Sequence, residues 1–453
     1  MKGNYDLKKD SVNKLFAKYA FMSIMGLTVM SLHVILDGIF IGRGVGSMGL
    51  AAVNIAGVIY PILTALGLCF GFGAATMISI KFGENKVEEA NSIFNQTIIF
   101  STIFSLVFSV LCITFLTPLS YLFGSNKALL PGVKVYLGTF MVFTVFYVVM
   151  LILDPIVRND GNPKTPMYAC IMSAVVNSIL NYLFIFVFQW GLFGAALATG
   201  LAQVVSLIYL MFHFFKKKGK LRFQKTKVER DIVIQVFKTG SPLLASQGCL
   251  AIFMIIYNWV VIRHIGEMGV ASLGIILYVQ EMIAMVLYGI GEALQPIASY
   301  NLGAKQYDRV KQVFKTSIIS GVVISAVFLV ITLFASENIV SWFNKEAELI
   351  ALTSYAMKLF FSAVVFYGIN MVIIAYFQAI DRPTESTILS LLQGIILCVA
   401  LLFILPYFIG ENGIWLSFPI GNMLTFLVAI YYIRKPAIRS SEGPIIQGYK
   451  KTA

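Results

Sequence analysis

The chain has 453 residues, 58% of them apolar or aromatic and 12% charged, against about 25% charged in an ordinary soluble domain. That composition excludes a soluble globular fold, so the net charge of +13 has to be explained by where the charges sit. The five cysteines, Cys69, Cys112, Cys170, Cys249 and Cys398, fall in apolar stretches without metal or redox spacing and read as small core residues.

Apolar stretches able to cross the ~30 Å hydrocarbon layer, about 20 residues each as helix, follow one another along the chain. They run near 17–41, 50–80, 92–117, 131–157, 165–188 and 191–215. A second set lies near 239–262, 270–300, 313–335, 350–380, 385–409 and 411–433. Twelve spans are predicted. Of the 34 Lys and Arg, all but Arg43, Lys127, Lys134, Arg263, Lys345 and Lys358 fall in the terminal tails and even-numbered loops. Such sorting obeys the positive-inside rule if both termini are cytoplasmic, and it removes the need for a nucleic-acid partner. The first span is too long for a cleaved signal core, so the N-terminus is expected to be retained.

The chain is written twice. Arg43–Ala51 returns 220 positions later as Arg263–Ala271, and the same offset maps Ser79, Gly83 and Pro163 onto Ser299, Gly303 and Pro383. Six spans per repeat is an even number, so both halves enter the bilayer from the same side. The predicted fold is all-α and polytopic, with two six-helix bundles related by a parallel pseudo-two-fold repeat. The expected domains are an N-terminal lobe at 1–215, a basic cytoplasmic linker at 216–238, a C-terminal lobe at 239–435 and a cytoplasmic tail at 436–453. The segments Arg158–Pro163 and Gln378–Pro383 carry turn chemistry, with Gly161 able to supply a positive φ.

An ionisable group at the bilayer centre costs roughly 2.5–3.5 kcal/mol on insertion scales, so each one needs a partner or a job. Four carboxylates stand out: Asp37, Asp154, Glu281 and Glu292. Asp37 follows His33 by four residues, so the two share a helical face and can share a proton or a hydrogen bond. Its counterpart at the repeat offset is Tyr257, so the acid is an addition to one half and function is favoured over packing. In the fifth span Ser173, Asn177 and Asn181 recur every four residues as one polar stripe. With Asp37 their oxygens could replace part of a Na⁺ hydration shell, or they could be interhelical glue worth about 0.6 kcal/mol per contact. Glu281, Met285, Tyr288 and Glu292 form an acidic and aromatic face suited to an organic cation. A core stripe tied to other helices is the competing explanation. Asp154 has Arg158 one turn away as a natural partner.

No Walker A sequence, nucleophile elbow or HExxH occurs, and the three histidines lie in unrelated places, so no cofactor, zinc site or covalent catalysis is expected.

The order of several segments resembles the multidrug and toxic compound extrusion (MATE) family, in particular its DinF/MepA-like branch. They are Val34–Gly42, Tyr136-Leu137 with Arg158–Pro163, Asn177–Asn181 and Glu292–Asn301, and the similarity spans residues 12 to 435. The resemblance implies export of amphipathic, often cationic compounds by alternating access, driven by inward H⁺ or Na⁺. It implies that Asp37 matches the first-span acid used for cation coupling, with Tyr136 and Asn177 near it, and that Glu292 and Asp154 match acids typical of MepA-like members. One departure is Asn181, where many DinF-like members carry a second acid; both coupling ions stay open.

The function expected is therefore a secondary antiporter, not an enzyme, working as a monomer in the plasma membrane, a bacterial inner membrane, on a small organic cation. Its cation-coupling residues would be Asp37, His33, Ser173, Asn177, Asn181 and Tyr136. Glu292, Glu281, Tyr288, Met285 and Asp154 would meet substrate. Two alternatives are a lipid-linked precursor flippase of the wider superfamily, for which basic cavity residues would be needed, and a membrane-embedded enzyme using Asp37 and His33 as an acid/base pair.

Overall fold

A computed structural model describes residues 6 to 435, and the expected cytoplasmic tail at 436–453 lies outside the described residues. Among the described residues the structure is all-helical. The N-terminal repeat contributes α1 (Val12–Gly44), α2 (Met48–Gly83), α3 (Val87–Thr114), the bent pair α4 (Leu130–Val142) and α5 (Thr144–Asn159), α6 (Lys164–Val187) and α7 (Gly191–Phe215). The second repeat contributes α8 (Arg230–His264), α9 (Glu267–Gly303), α10 (Tyr307–Phe343), the bent pair α11 (Ala347–Phe360) and α12 (Val364–Ala379), α13 (Pro383–Ile409) and α14 (Glu411–Arg434). Ten of these helices are long and apolar enough to cross a membrane alone, and each bent pair makes one further span, giving twelve among the described residues. The protein is a multi-pass membrane protein.

The repeat is visible in the backbone. Positive φ occurs at Gly46 and Gly266 (87° and 89°), at Asn85 and Lys305 (62° and 58°), and at Gly161 and Asp381 (84° and 58°), each pair 220 residues apart. Gly46 and Gly266 are the hinges between the first two spans of each repeat, and a left-handed residue there favours glycine. The bends recur too, at 53° between α4 and α5 and 51° between α11 and α12. No proline sits at either bend. Instead the hydrogen bonding tightens to three-residue closures, Phe143 N–H to the Phe140 carbonyl at 2.9 Å and Val364 N–H to the Phe361 carbonyl at 3.0 Å.

Two compact units emerge, and their border differs from the expected one at 216–238. Among the described residues, the first comprises the chain through Leu244 together with Ser299–Ala304, and the second comprises Ala245–Ala298 and the chain from Lys305 to Lys435. The start of α8 and the last turn of α9 thus belong to the first unit. Close backbone approach explains the second of these: a side chain at Gly83 would overlap the carbonyl of Tyr300, and one at Gly303 that of Ile80. Small residues let two helices meet backbone to backbone in this way. Asn301 Nδ2 adds a hydrogen bond to the Leu7 carbonyl at 3.2 Å.

The basic connection after α7 is also strapped to the first unit. Asn91 Oδ1 accepts from Arg222 N–H at 2.6 Å, Asn95 Oδ1 from Gln224 N–H at 3.0 Å, and Gln96 Oε1 from Glu229 N–H at 2.8 Å. Asp160 Oδ1 accepts from Lys220 N–H at 2.7 Å, and its Oδ2 lies 2.9 Å from His213 Nε2. Phe223 packs against Phe94 and Phe214. This largely exposed stretch, without a helix of its own, has several of its backbone N–H groups met by Asn, Gln and Asp side chains of the first unit.

Candidate functional site

In the first unit a hydrogen-bonded chain ties three helices together. Asn181, fully buried on α6, donates through Nδ2 to Asp37 Oδ1 of α1 at 2.7 Å and to Asn177 Oδ1, one turn earlier, at 2.8 Å. Asn177 Nδ2 in turn donates to the Thr199 hydroxyl of α7 at 3.3 Å, which donates to the Ala195 carbonyl at 3.1 Å. Asn181 Oδ1 is buried and has no hydrogen-bond partner among the described residues. The α-helical part of α6 ends at this asparagine and a π-helical turn, Tyr182–Val187, begins. Such turns are rare and frequent at functional sites.

A tyrosine cluster stands beside the chain. Tyr60 and Tyr136 hydroxyls lie 3.2 Å apart, Thr64 and Tyr147 hydroxyls 2.7 Å apart, and the Tyr60 ring packs on Phe140 with centroids at 4.3 Å. Asp37 acts electrostatically on Tyr60 and Tyr136. Taken together, the cluster offers one carboxylate, neutral hydroxyls and a donorless amide oxygen. Hard oxygens of this kind suit a proton or a small hard cation.

His33 reaches Asp37 only through space. The expected hydrogen bond between them is absent among the described residues, and His33 Nε2 is buried without a partner. Asp37 already has Asn181, which approaches from a different helix. Ser173 is buried on the same helix as the asparagines but no hydrogen bond links it to the chain. Asp154 takes the partner offered by its own helix, with Arg158 Nη2 at 2.6 Å from Oδ1.

The second unit holds a cavity of about 430 Å³ between α8, α9, α12, α13 and α14, within the size range of small-molecule sites. Glu281 is the single charged side chain among its described lining residues. Tyr288 lines it as well, with Gln280, Gln393, Tyr367 and Phe418. Met285 and Glu292 do not, so the four-residue face divides. Gln393 lies in a second π-helical turn, Leu392–Ile396.

The two places are related by the repeat. Adding 220 to Tyr60, Tyr147 and Ser173 gives Gln280, Tyr367 and Gln393, and all three line the cavity. Tyr257, the counterpart of Asp37, is fully buried, and its hydroxyl donates to the Ile414 carbonyl at 2.6 Å. One ancestral polar position therefore serves as a buried structural hydroxyl in one half and as a carboxylate in the other.

The MatE family model matches residues 23–183 and 242–409. The chain belongs to the MatE family. Among relatives of this family, multidrug export protein MepA of Staphylococcus saprophyticus subsp. saprophyticus is 24% identical over 448 residues, 98% of this chain and 99% of that one. MepA of Staphylococcus aureus strain MSSA476 is also 24% identical with the same coverage. Solved MatE-type folds agree. A MOP superfamily transporter from Pyrococcus furiosus, with 22% sequence identity, superposes with a TM-score of 0.88 over 95% of this chain and 97% of that chain. A crystal structure of MATE in complex with MaL6, at 21% identity, gives 0.89 over the same shares.

Within this MatE chain, then, Asp37, Asn177 and Asn181 come together by direct hydrogen bonds, with Tyr136 alongside, and Glu281 joins Tyr288 at a cavity. Thr199, Tyr60, Thr64, Tyr147, Gln280 and Tyr367 carry no formal charge and belong neither to the Ser173–Asn181 and Glu281–Glu292 stripes nor to the segments that resemble the family. The repeat offset joining Tyr60 to Gln280 and Tyr147 to Tyr367 was the signal available.

Proposed function

We propose that this chain is a secondary active antiporter that exports amphipathic organic cations in exchange for H⁺ or Na⁺ by alternating access, from a plasma membrane with both termini cytoplasmic. The observation that carries the proposal is the buried chain from Asp37 through Asn181 and Asn177 to Thr199, with Asn181 Oδ1 lacking a donor. A buried acceptor without a partner calls for an explanation such as an unseen ion, and an intramembrane carboxylate is functional by default. Na⁺ would be held by Asp37 and Asn181, with Asn177 orienting the amide; a proton would sit on Asp37. The MepA relatives, named multidrug export proteins, support export as the direction.

Loading Asp37 shifts the conformational equilibrium through differential ion affinity for the two states, the only way a ligand can do so. Substrate would enter the cavity that bears Glu281, whose negative charge favours cations and speaks against a pyrophosphate-bearing lipid. The roles of His33, Ser173, Met285 and Glu292 are at most supporting, and Asp154 is neutralised by Arg158.

The test is efflux of a fluorescent organic cation from proteoliposomes with Na⁺ and H⁺ gradients imposed separately. Transport driven by one gradient and lost in Asp37→Asn is expected. Efflux that ignores both gradients, or survives unchanged in Asp37→Asn at equal incorporation, would overturn the proposal.

A further inference from the structure

Around the cavity of the second unit the polar chemistry is lopsided. Glu281 brings a carboxylate, and Gln280 and Gln393, 9% and 7% exposed, border the same space. The Oε1 atoms of both glutamines are buried without a hydrogen-bond partner among the described residues. Tyr367 engages the Gln280 side chain, which leaves the carbonyl end of that amide unserved. The backbone around Gln393 is already in an unusual π-helical turn, whose next residue, Gly394, packs against Cys249.

Hydroxyls and amides such as Ser246, Asn258 and Ser390 also line the cavity, yet these two amide oxygens beside one carboxylate are left without a donor among the described residues. A buried acceptor left unsatisfied pays its full desolvation penalty, whereas one met by a charged donor gains a strong hydrogen bond. Both amides border the cavity, so a donor carried into it meets these side chains at the wall. The volume, about 430 Å³, far exceeds a bare ion, so the donor has to come on an organic molecule. A permanently charged quaternary ammonium or phosphonium satisfies Glu281 electrostatically and can face Tyr288 and Phe418, yet brings no N–H to either amide.

We infer that this cavity selects organic cations that carry N–H donors, namely protonated amines, amidines or guanidines, over cations of like size without them. The inference rests on the proposed export function and deepens it by naming the substrate class. Sites built to hydrogen-bond a substrate reject analogues lacking the group far more strongly than apolar pockets reject a missing methylene.

The experiment uses a matched pair, an arylalkyl primary amine that is protonated at neutral pH and its N-trimethylated derivative. Their equilibrium binding to the purified full chain in detergent and their gradient-driven efflux from proteoliposomes are both measured. The wild type is expected to bind the amine at least about tenfold more tightly. Gln280→Met with Gln393→Met should bring that ratio toward one by weakening the amine alone, while Glu281→Gln weakens both compounds. Dependence on the glutamines separates donor count from the bulk of the added methyls. If the double variant does not fold, each single Met variant should lower the ratio part of the way. A wild-type ratio near one, or a ratio that survives in the Met variants, overturns the inference and leaves the exporter intact. Failure of every gradient to move either compound overturns the exporter reading and this inference with it.

Discussion

Asn181 Nδ2 donates to Asp37 Oδ1 across 2.7 Å although 144 positions separate the two residues in the chain. The bond pins α6 to α1 at a mid-span carboxylate that makes no hydrogen bond to a basic residue of its own helix among the described residues. Removing the charge while keeping the acceptor isolates its role: Asp37→Asn still accepts from Asn181, so insertion and folding should persist. Gradient-driven efflux should fall to background, and gradient-free binding of the cation should change by less than about tenfold. Size-exclusion profiles and proteoliposome efflux on the same preparation check both halves of that statement.

Asn181 is the more informative partner. Asn181→Asp places a second carboxylate against Asp37 and should strengthen Na⁺ dependence, since charge count raises affinity at oxygen sites. Asn181→Leu strips Asp37 of its donor and leaves Asn177 Oδ1 unserved as well. It should cost about 1–3 kcal/mol for each buried group left unsatisfied. Efflux titrated against Na⁺, together with thermal melts of both variants, reads the two effects separately. Unchanged Na⁺ dependence in Asn181→Asp would remove this residue from the ion site.

Much of the architecture could be read directly from spacing. The 220-residue offset anticipates equal backbone at Gly46 and Gly266 and at Gly161 and Asp381, because turn chemistry is local. The bends at Phe143 and Ala363 were not readable, since neither is marked by proline or glycine. Nor was the border between units, which follows backbone approach at Gly83 and Gly303, not loop length. In the candidate site the guides were charge and four-residue spacing along a span. Charge picked out Asp37 and Glu281, placed Glu292 ahead of Glu281 although Glu292 does not line the cavity, and passed over Gln280. Amides and hydroxyls cost less to bury than charges, so their presence in a span raises no alarm until neighbours are known.

The close approach at Gly83 tests what sets that border. Gly83→Ala would push its Cβ into the Tyr300 carbonyl, and backbone cannot yield as a side-chain tip can. A loss of about 1–3 kcal/mol is expected from overpacking. Gly248→Ala is the control, because no atom lies within 4 Å of the added carbon; in a helix it should be neutral or stabilising by roughly 0.5–1 kcal/mol. Thermal midpoints in detergent compare the two, and equal midpoints would show that the crossing tolerates a methyl.

Asp154 distinguishes a structural acid from a transporting one. Its carboxylate lies 2.6 Å from Arg158, with side chains 18% and 7% exposed. Breaking such a pair leaves a buried charge uncompensated and costs about 3–5 kcal/mol, whereas removing both partners is much milder. Asp154→Ala should therefore lower the thermal midpoint more than Asp154→Ala combined with Arg158→Ala. The preference among cationic substrates in the surviving folded protein should match that of the wild type. A double-mutant cycle on stability, run beside substrate ranking by efflux, measures both. Altered ranking with no stability coupling would return Asp154 to the substrate path, which the geometry of its ion pair argues against.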